Sequence, residues 1–584
     1  MKNKISKIVI VFIAVLSFYI NSNHSLWDDH KDVVKWDIIS YYQYLPALIH
    51  YNDLGFTFVW KDRSLLTNKF WPSDVGEGKL VGKTSIGMSI IYAPFYLIAE
   101  LQANLTNQKS DGFSKPYMFW LLMSALFYLI LGLTFLRKIL LKYYSDLVTS
   151  LVIALLFAGT NLLFYSTLYG PMPHVYLFSL ITIFVYYSME WHKNQTYRTS
   201  IILGLLLSII SLIRPTDVLV VLFFIFYGIS SFKDLISKFT WFLQKWDKLL
   251  FIALLSFVFW IPQVLYWKHY AGSYFFFSYG KERFFFDNPQ IIKTLFSYRK
   301  GLFIYAPVLF LSFVSIPFIY KKHKDFLWPT IIFMILNIYV ISSWWCWWYG
   351  GSYGSRVYID SFVFFAIPLA YLINISINKS KLLKYVAFFI VFVLIAHQSF
   401  QLLQYKNRAI HHDSMSKEAY WSSFLNLHHS LDFYFLLRSP DYSACVINNR
   451  FDTKPEIISS KKIALRYNNK YLSCDLKKDR NLFCYADYSY KWEILNLDLL
   501  DNNCVSIKNF EGKYFSINND GFVVSKRKAI TVQEMFLFEY IDETHVKIMS
   551  IDNKYFFVDK STKQVFATDE SIGNSAVFEI INKY

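Results

Sequence analysis

The feature that most constrains this chain is a series of apolar runs, each roughly 15–20 residues long, through its first 403 residues. They fall near 5–22, 86–103, 117–136, 147–168, 173–190, 199–213, 216–230, 249–267, 302–320, 326–343, 357–376 and 385–403. A helix of that length matches the hydrocarbon core of a bilayer, so recurrence on this scale predicts a polytopic α-helical membrane protein. The residues are 55% hydrophobic and 20% aromatic, with only 17% charged, which is too apolar for an ordinary soluble protein. The net charge of +17 suits Lys and Arg at cytoplasmic helix ends and contact with membrane lipid. No nucleic-acid partner is expected.

Positive charge orients the runs. Lys2, Lys4 and Lys7 place the N-terminus in the cytoplasm. From Arg137 onward, the basic clusters at 137–142, 193–198, 233–248, 321–324 and 379–384 alternate correctly with the runs. No small-x-small cleavage site follows residues 1–20, so an uncleaved first span is expected rather than a signal peptide. Run 86–103 breaks the parity, because 5–22 and 117–136 cannot both cross if it does. It contains Pro94 and follows a Gly-rich, charged segment. It is expected to lie along the outer interface, within one outer loop spanning 23–116. The result is about eleven spans in a multi-pass inner (plasma) membrane protein, with a cytoplasmic N-terminus and an extracytoplasmic C-terminal domain.

The outer side then gathers the chemistry-bearing residues. The first loop holds Asp28, Asp29, Asp32 and Asp37. A carboxylate against an apolar wall can take a proton from an acceptor hydroxyl, and Asp37, just before Tyr41-Tyr42-x-Tyr44, is the leading candidate base. Asp28, Asp29 and Asp32 remain alternatives. Lys83 could hold a phosphate or simply snorkel. Arg299 and Lys300, in SYRKGLFIYAP, suit a phosphate or lipid head group at a span entrance. Loop 268–301 is strongly basic on a side where the charge rule expects few cations, so either the loop lies on the other side or its cations meet an anion.

The segment 344–360, WWCWWYGGSYGSRVYID, is the least ordinary stretch. Trp347, Trp348 and Tyr353 offer faces for a sugar ring, glycines allow close backbone approach, and Arg356 can bind a phosphate through two parallel bonds. His174 is a further candidate beside the sugar. Arg214 and Asp217 either serve the substrate or pair with each other. The pairs His411-His412 and His428-His429 stand away from any carboxylate cluster and read poorly as a metal site, and the five cysteines show no ligand spacing. No cofactor is specified, and a divalent metal stays open.

Residues 404–462 form a polar, aromatic connector. From 463 a short-strand pattern repeats three times. Ile463-Ala-Leu465, Val505-Ser-Ile507 and Val546-Lys-Ile548 lead to Asn469-Lys470-Tyr471, Gly512-Lys513-Tyr514 and Asn553-Lys554-Tyr555. The Lys-Tyr steps are 43 and 41 residues apart, and the units close on Trp492-Glu493, Phe538-Glu539 and Phe578-Glu579. Asn or Gly before Lys-Tyr suits a tight hairpin turn. Residues 463–584 resemble a β-trefoil of the fascin-like kind, which implies an all-β, three-lobed domain. Cys474 and Cys484 could meet across a hairpin as a disulfide.

Residues 1–403 resemble the GT-C superfamily of membrane glycosyltransferases, the group of the protein O-mannosyltransferases and the aminoarabinose transferases. The resemblance rests on the first outer loop with Asp37 and an interfacial helix, and on SYRKGLFIYAP and WWYGGSYGSRVYID. It implies a polyprenyl-phosphate sugar donor and a first-loop acid acting as base. The expected activity is transfer of a hexose or pentose, with inversion, to an extracytoplasmic glycan, lipid or protein. A transporter or flippase of lipid-linked glycans, and a non-catalytic anchor displaying a glycan-binding trefoil, are the alternatives. Charges gathered at one face favour the enzyme, because a transporter needs charges at the bilayer midplane.

Overall fold

The structure, a computed structural model, describes residues 4–76, 78–429, 433–440, 442, 445–446, 457–500, 504–518, 520–551, 554–568 and 575–583. The chain divides into two compact units, Met1–Leu403 and Gln404–Tyr584.

The first unit is helical. Six helices among the described residues are long and apolar enough to cross a membrane: Ile5–Asn23, Lys115–Leu140, Trp246–Ala271, Lys324–Ser343, Arg356–Lys379 and Lys381–Lys406. Such a set characterises a multi-pass membrane protein. Six is fewer than the eleven expected, for identifiable reasons. Asp146–Ala158, Tyr197–Ile213, Pro215–Phe226 and Pro307–Tyr320 are apolar but short. Pro215 and Pro307 each open a new segment, since proline cannot continue the preceding hydrogen-bond ladder. Pro173–Lys193 has the length, but His174, six hydroxylated side chains, Glu190, His192 and Lys193 dilute it.

Polar contacts sort the helix ends into two groups. Asp146 accepts from the Ile5 backbone N–H at 2.7 Å, and Arg137 Nε donates to Ser6 Oγ at 2.6 Å. The N-terminus, Arg137 and Asp146 therefore share one end. The helix Gly87–Leu105 touches other ends. Ser85, just before it, donates to the Leu212 carbonyl, Tyr92 donates to the Pro171 carbonyl, and Trp120 Nε1 donates to Gln102 Oε1 at 2.7 Å. Gly87 lies so close to Ile213 that an added Cβ would sit 2.8 Å from its backbone nitrogen. Before this helix, β1 (Pro72–Gly76) and β2 (Lys79–Gly82) form an antiparallel hairpin.

The second unit is antiparallel β, in three sets of four strands: β3 (Ile457–Tyr467), β4 (Lys470–Asp475), β5 (Asn481–Ala486) and β6 (Leu495–Leu500); β7 (Val505–Lys508), β8 (Tyr514–Ile517), β9 (Val523–Arg527) and β10 (Phe536–Tyr540); β11 (His545–Ser550), β12 (Tyr555–Val558), β13 (Val565–Thr568) and β14 (Val577–Asn582). The first and last strands of each set close into a ring, β3–β6–β7–β10–β11–β14–β3. Closure removes the exposed edges that an open sheet would present. The inner strands form hairpins β4–β5, β8–β9 and β12–β13, which touch through Asn481–Val524, Phe483–Gln564 and Phe522–Phe566. The apolar positions of the repeat fill one core: Ile463, Leu465, Ile507, Phe515, Val546, Ile548 and Phe556 are all buried.

Asn468, Asn469 and Gly512 take positive φ of 47°, 63° and 74° at the first two hairpin turns, the backbone region a tight turn requires. Asn553, in the third turn, lies outside the described residues, as do parts of 404–462. Cys474 and Cys484 do not form a disulfide. The register sets Cys474 opposite Leu482 and Cys484 opposite Leu472, so both remain free, buried thiols. Burial pushes Cys484 up to about 12.

Candidate functional site

Asp37 and Arg356, 319 residues apart, meet in an ion pair: Arg356 Nη2 donates to Asp37 Oδ2 at 2.8 Å. The same nitrogen donates to the Tyr349 carbonyl at 3.0 Å. Both partners sit on short, locally specified turns. Asp37 opens the helix Asp37–Tyr42 directly after Trp36, whose φ of 51° and ψ of −133° are unusual for a non-glycine residue. Tyr349 is also at positive φ, 55°. Gly354, at φ 59°, leads into the turn Arg356–Ser361. The Asp37 helix is fixed to the following segment by three bonds. Thr84 Oγ1 donates to the Ser40 carbonyl at 2.8 Å, Ser89 Oγ to the Tyr41 carbonyl at 2.6 Å, and Tyr44 Oη to the Thr84 carbonyl. Asp37 stays 45% exposed, whereas Arg356 is only 14% exposed.

A second, more deeply buried ion cluster lies on the same turn, four residues on. Asp360 Oδ1 faces His174 Nδ1 at 3.0 Å, and its Oδ2 accepts from Arg214 Nη1. Asp360 and His174 are each 3% exposed. Arg214 thus pairs with Asp360 rather than simply with Asp217. Asp217 is buried nearby with Oδ2 lacking a hydrogen-bond partner. The 356–360 turn thus carries both signs of charge, the Arg356 guanidinium and the Asp360 carboxylate, each in an ion pair.

Phenols surround the pair. Burial, then Tyr279 and Asp37, hold the Tyr41 hydroxyl well above its ordinary range. Burial, with Asp37 and Glu282 adding to it, pushes Tyr279 up to about 12. Both remain protonated donors at neutral pH. Lys83 stands next to Tyr279, 5.3 Å from its ring centre, and pairs with Glu282 at 3.2 Å. Trp345 Nε1 holds the other Glu282 oxygen at 3.1 Å. Loop 268–301 is joined to segment 342–345 by backbone bonds, Phe285 to Ser343 at 2.6 Å, Gln290 to Ser342 at 2.8 Å and Trp345 to Arg283 at 3.1 Å. Ser278 Oγ donates to the Lys83 carbonyl. The first loop, the basic loop and the tryptophan segment therefore meet on one face.

The remaining expected residues are placed differently from a surface platform. Trp347 and Trp348 are 1% exposed and pack edge to face at 5.8 Å. Tyr353 is equally buried, and its hydroxyl accepts from Gln398 Nε2 at 2.8 Å. Lys300 donates to the Ser352 carbonyl, and the Arg299 guanidinium lies 5.4 Å over the Trp348 ring. These residues support the 344–355 segment from beneath. Of the other aspartates, Asp28 pairs with Lys115 at 2.7 Å, Asp29 accepts from the Lys31 backbone N–H at 2.9 Å, and Asp32 is exposed. None of the three contacts Arg356 among the described residues.

Sequence reasoning did not single out Asp360, Tyr41 or Tyr279 as site residues. Asp360 carried one local signal, an acid inside an apolar run. The two tyrosines carried none that separates them from interfacial aromatics. In the second unit, Asp413 brings a carboxylate to His411 and His412, with ligand atoms within 4.8 Å of one another, a grouping that the sequence reading discounted.

No family model matches the sequence, and no curated protein does. Among solved structures, the chain is similar to the S. cerevisiae protein O-mannosyltransferase Pmt1–Pmt2 complex bound to the sugar donor. The identity is 11% over all of this chain and 64% of that one, with a TM-score of 0.22. It is also similar to ThreeFoil, a designed 3-fold symmetric protein, at 14% identity over 21% of this chain and 99% of that one, TM-score 0.19. SeviL bound to asialo-GM1 saccharide gives 14% identity over 22% and 100%, TM-score 0.19. Likeness at this level assigns no activity. The class that the chain's own features define is a multi-pass membrane protein with an all-β C-terminal unit and an ion-paired cluster on one face of the helical unit.

Proposed function

We propose that residues 1–403 are a GT-C-type membrane glycosyltransferase that moves a sugar from a polyprenyl-phosphate donor to an extracytoplasmic acceptor. The observation that carries the reading is the Asp37–Arg356 pair, which joins a half-exposed acid of the first loop to a guanidinium of the glycine-rich segment. In the proposed reaction Arg356 exchanges Asp37 for the donor phosphate, with Lys83 at the margin. Asp37, released, accepts the acceptor hydroxyl proton. The acceptor oxygen forms a bond to the anomeric carbon as the bond from that carbon to the phosphate oxygen breaks. Polyprenyl phosphate leaves with its charge held by Arg356, and configuration inverts. Tyr41 and Tyr279 are neutral donors available to sugar hydroxyls. The Asp360 cluster fixes the turn that carries Arg356. The helix Gly87–Leu105, in contact with one end of three other helices, lies in the membrane plane, and the closed ring with three hairpins is a β-trefoil that holds the acceptor.

The test is sugar transfer in membranes supplied with polyprenyl-phosphate sugars. Asp37→Asn should lower turnover by about 10²–10⁴-fold, the usual worth of a general base. Arg356→Ala should weaken donor use. Full activity in both variants would end the proposal. Activity lost in Asp28→Asn or Asp32→Asn but kept in Asp37→Asn would move the base.

A further inference from the structure

A second site lies away from the ion-paired cluster. The helix Phe232–Gln244 links the apolar helix Pro215–Phe226 to the candidate span Trp246–Ala271. Phe232, Leu235, Ile236, Phe239 and Leu243 recur at three- and four-residue spacing, form one stripe, and are all exposed. The opposite face is fastened to the protein. Trp241 packs on Trp191 with ring centres 5.3 Å apart. Asp234 accepts from the Ser230 backbone N–H at 3.0 Å and from Ser230 Oγ at 2.6 Å. A bare apolar stripe on a helix tethered at both ends to apolar helices, with Lys233, Lys245 and Lys248 beside it, has the chemistry that suits an anionic bilayer surface.

Its fastened face borders a shallow, open cleft of about 310 Å³ lined by His192, Tyr227, Asp234, Lys238 and Trp241, among others. Two groups in the wall lack what they need. His192 Nδ1 lies 2.8 Å from the Ser188 carbonyl, which makes it the protonated nitrogen and leaves Nε2 a bare acceptor. That Nε2 is buried with no hydrogen-bond partner. Lys238 donates to the Tyr227 carbonyl and makes no ion pair among the described residues, the Asp234 carboxylate in the same wall accepting from Ser230 instead. Burial pushes Lys238 down to about 7, with Asp325 acting against this through space. A ligand that suits the wall brings an anion for Lys238 and a hydroxyl for His192.

The geometry points to a binding site for the phosphoglycerol head group of an anionic phospholipid, with its phosphate on Lys238, a glycerol hydroxyl donating to His192 Nε2, and its chains in the bilayer. A phosphocholine head group brings a phosphate but no hydroxyl for His192, and its fixed ammonium is repelled by Lys238.

Binding is measured on the purified full chain in detergent, with short-chain phosphatidylglycerol, short-chain phosphatidylcholine and soluble glycerol phosphate as separate probes. Phosphatidylglycerol should bind at least tenfold more tightly than phosphatidylcholine. Lys238→Gln should remove that preference, Lys238→Arg should retain most of it, and His192→Phe should weaken phosphatidylglycerol alone. Lys238→Arg also guards against a folding defect in Lys238→Gln. No preference between the lipids, or a preference unchanged in Lys238→Gln, would overturn the proposal. Glycerol phosphate binding as tightly as the lipid would refute the bilayer as the source.

Discussion

Two arginines hold aspartates at the 356–360 turn, and removing them should have unequal consequences. Arg214→Gln leaves Asp360 with His174 and the second acid Asp217, and no cation bonded to it, in a place where only 3% of the carboxylate side chain reaches solvent. Stripping one partner from a buried ion pair costs about 3–5 kcal/mol, because the remaining charge is neither hydrated nor compensated. Arg356→Gln leaves Asp37, which is 45% exposed and can rehydrate. That pair is worth about 1 kcal/mol or less, and the lost bond to the Tyr349 carbonyl adds about 1 kcal/mol. The expected gap of about 2–3 kcal/mol is roughly 30- to 150-fold in the unfolding equilibrium. Denaturant unfolding of the purified protein in detergent measures both variants side by side. Arg214→Gln combined with Asp360→Asn should be less destabilised than the sum of the singles, since the orphan charge is gone. Equal destabilisation by the two arginine variants, or no rescue in the double variant, would refute the reasoning from burial. Transfer activity should follow the reverse order once folded protein is matched, with Arg356→Gln the more defective.

Other consequences are more local. Gly350 and Gly354 both have positive φ, 69° and 59°, but an added Cβ meets nothing at Gly350 and sits 3.2 Å from Tyr305 Cβ at Gly354. Gly350→Ala should cost about 1 kcal/mol of backbone strain, and Gly354→Ala more, with a matching loss of transfer. Asp111 accepts from the Phe113 and Ser114 backbone N–H groups at 2.8 Å each and pairs with Lys109. Burial works to raise its pKa, but these bonds outweigh it and hold the carboxyl below the usual range. A depressed acid stabilises the fold above its unfolded pKa, near 4, and that support is lost as pH falls further. Proteolysis around residues 109–115 should therefore accelerate below about pH 4, and Asp111→Asn should already be susceptible at pH 7. Cys474 and Cys484 should remain unlabelled by thiol reagents in the native protein, and mobility on reducing and non-reducing gels should be identical.

Periodicity and local turn chemistry carried much of the architecture. An apolar run becomes a helix whatever surrounds it, because its backbone bonds are internal to the segment. The threefold Lys-Tyr repeat fell on strands for a similar reason: alternation and a turn residue are properties of a few neighbouring positions. The span count was less legible. Arg214-Pro215 and Ala306-Pro307 mark helix breaks within a few residues, but whether a short apolar helix crosses depends on its neighbours.

The candidate site divides in the same way. Asp37 and Arg356 were each noticeable in the sequence, one as an acid beside a span and the other as a lone cation after a glycine-rich turn. Their pairing, and the exclusion of Asp28, Asp29 and Asp32 from it, depended on a contact across 319 residues that no local pattern encodes. Tertiary packing also decided that Trp347, Trp348 and Tyr353 lie inside the fold, since an interfacial aromatic and a core aromatic have the same composition and spacing. It gave Arg214 to Asp360 in place of Asp217 alone. Sequence by itself determined which segments seek apolar surroundings and where the chain turns, because both follow from short-range physics. Which charges meet was decided only by the folded chain, because ion pairs are selected by three-dimensional proximity and by the cost of leaving a buried charge alone.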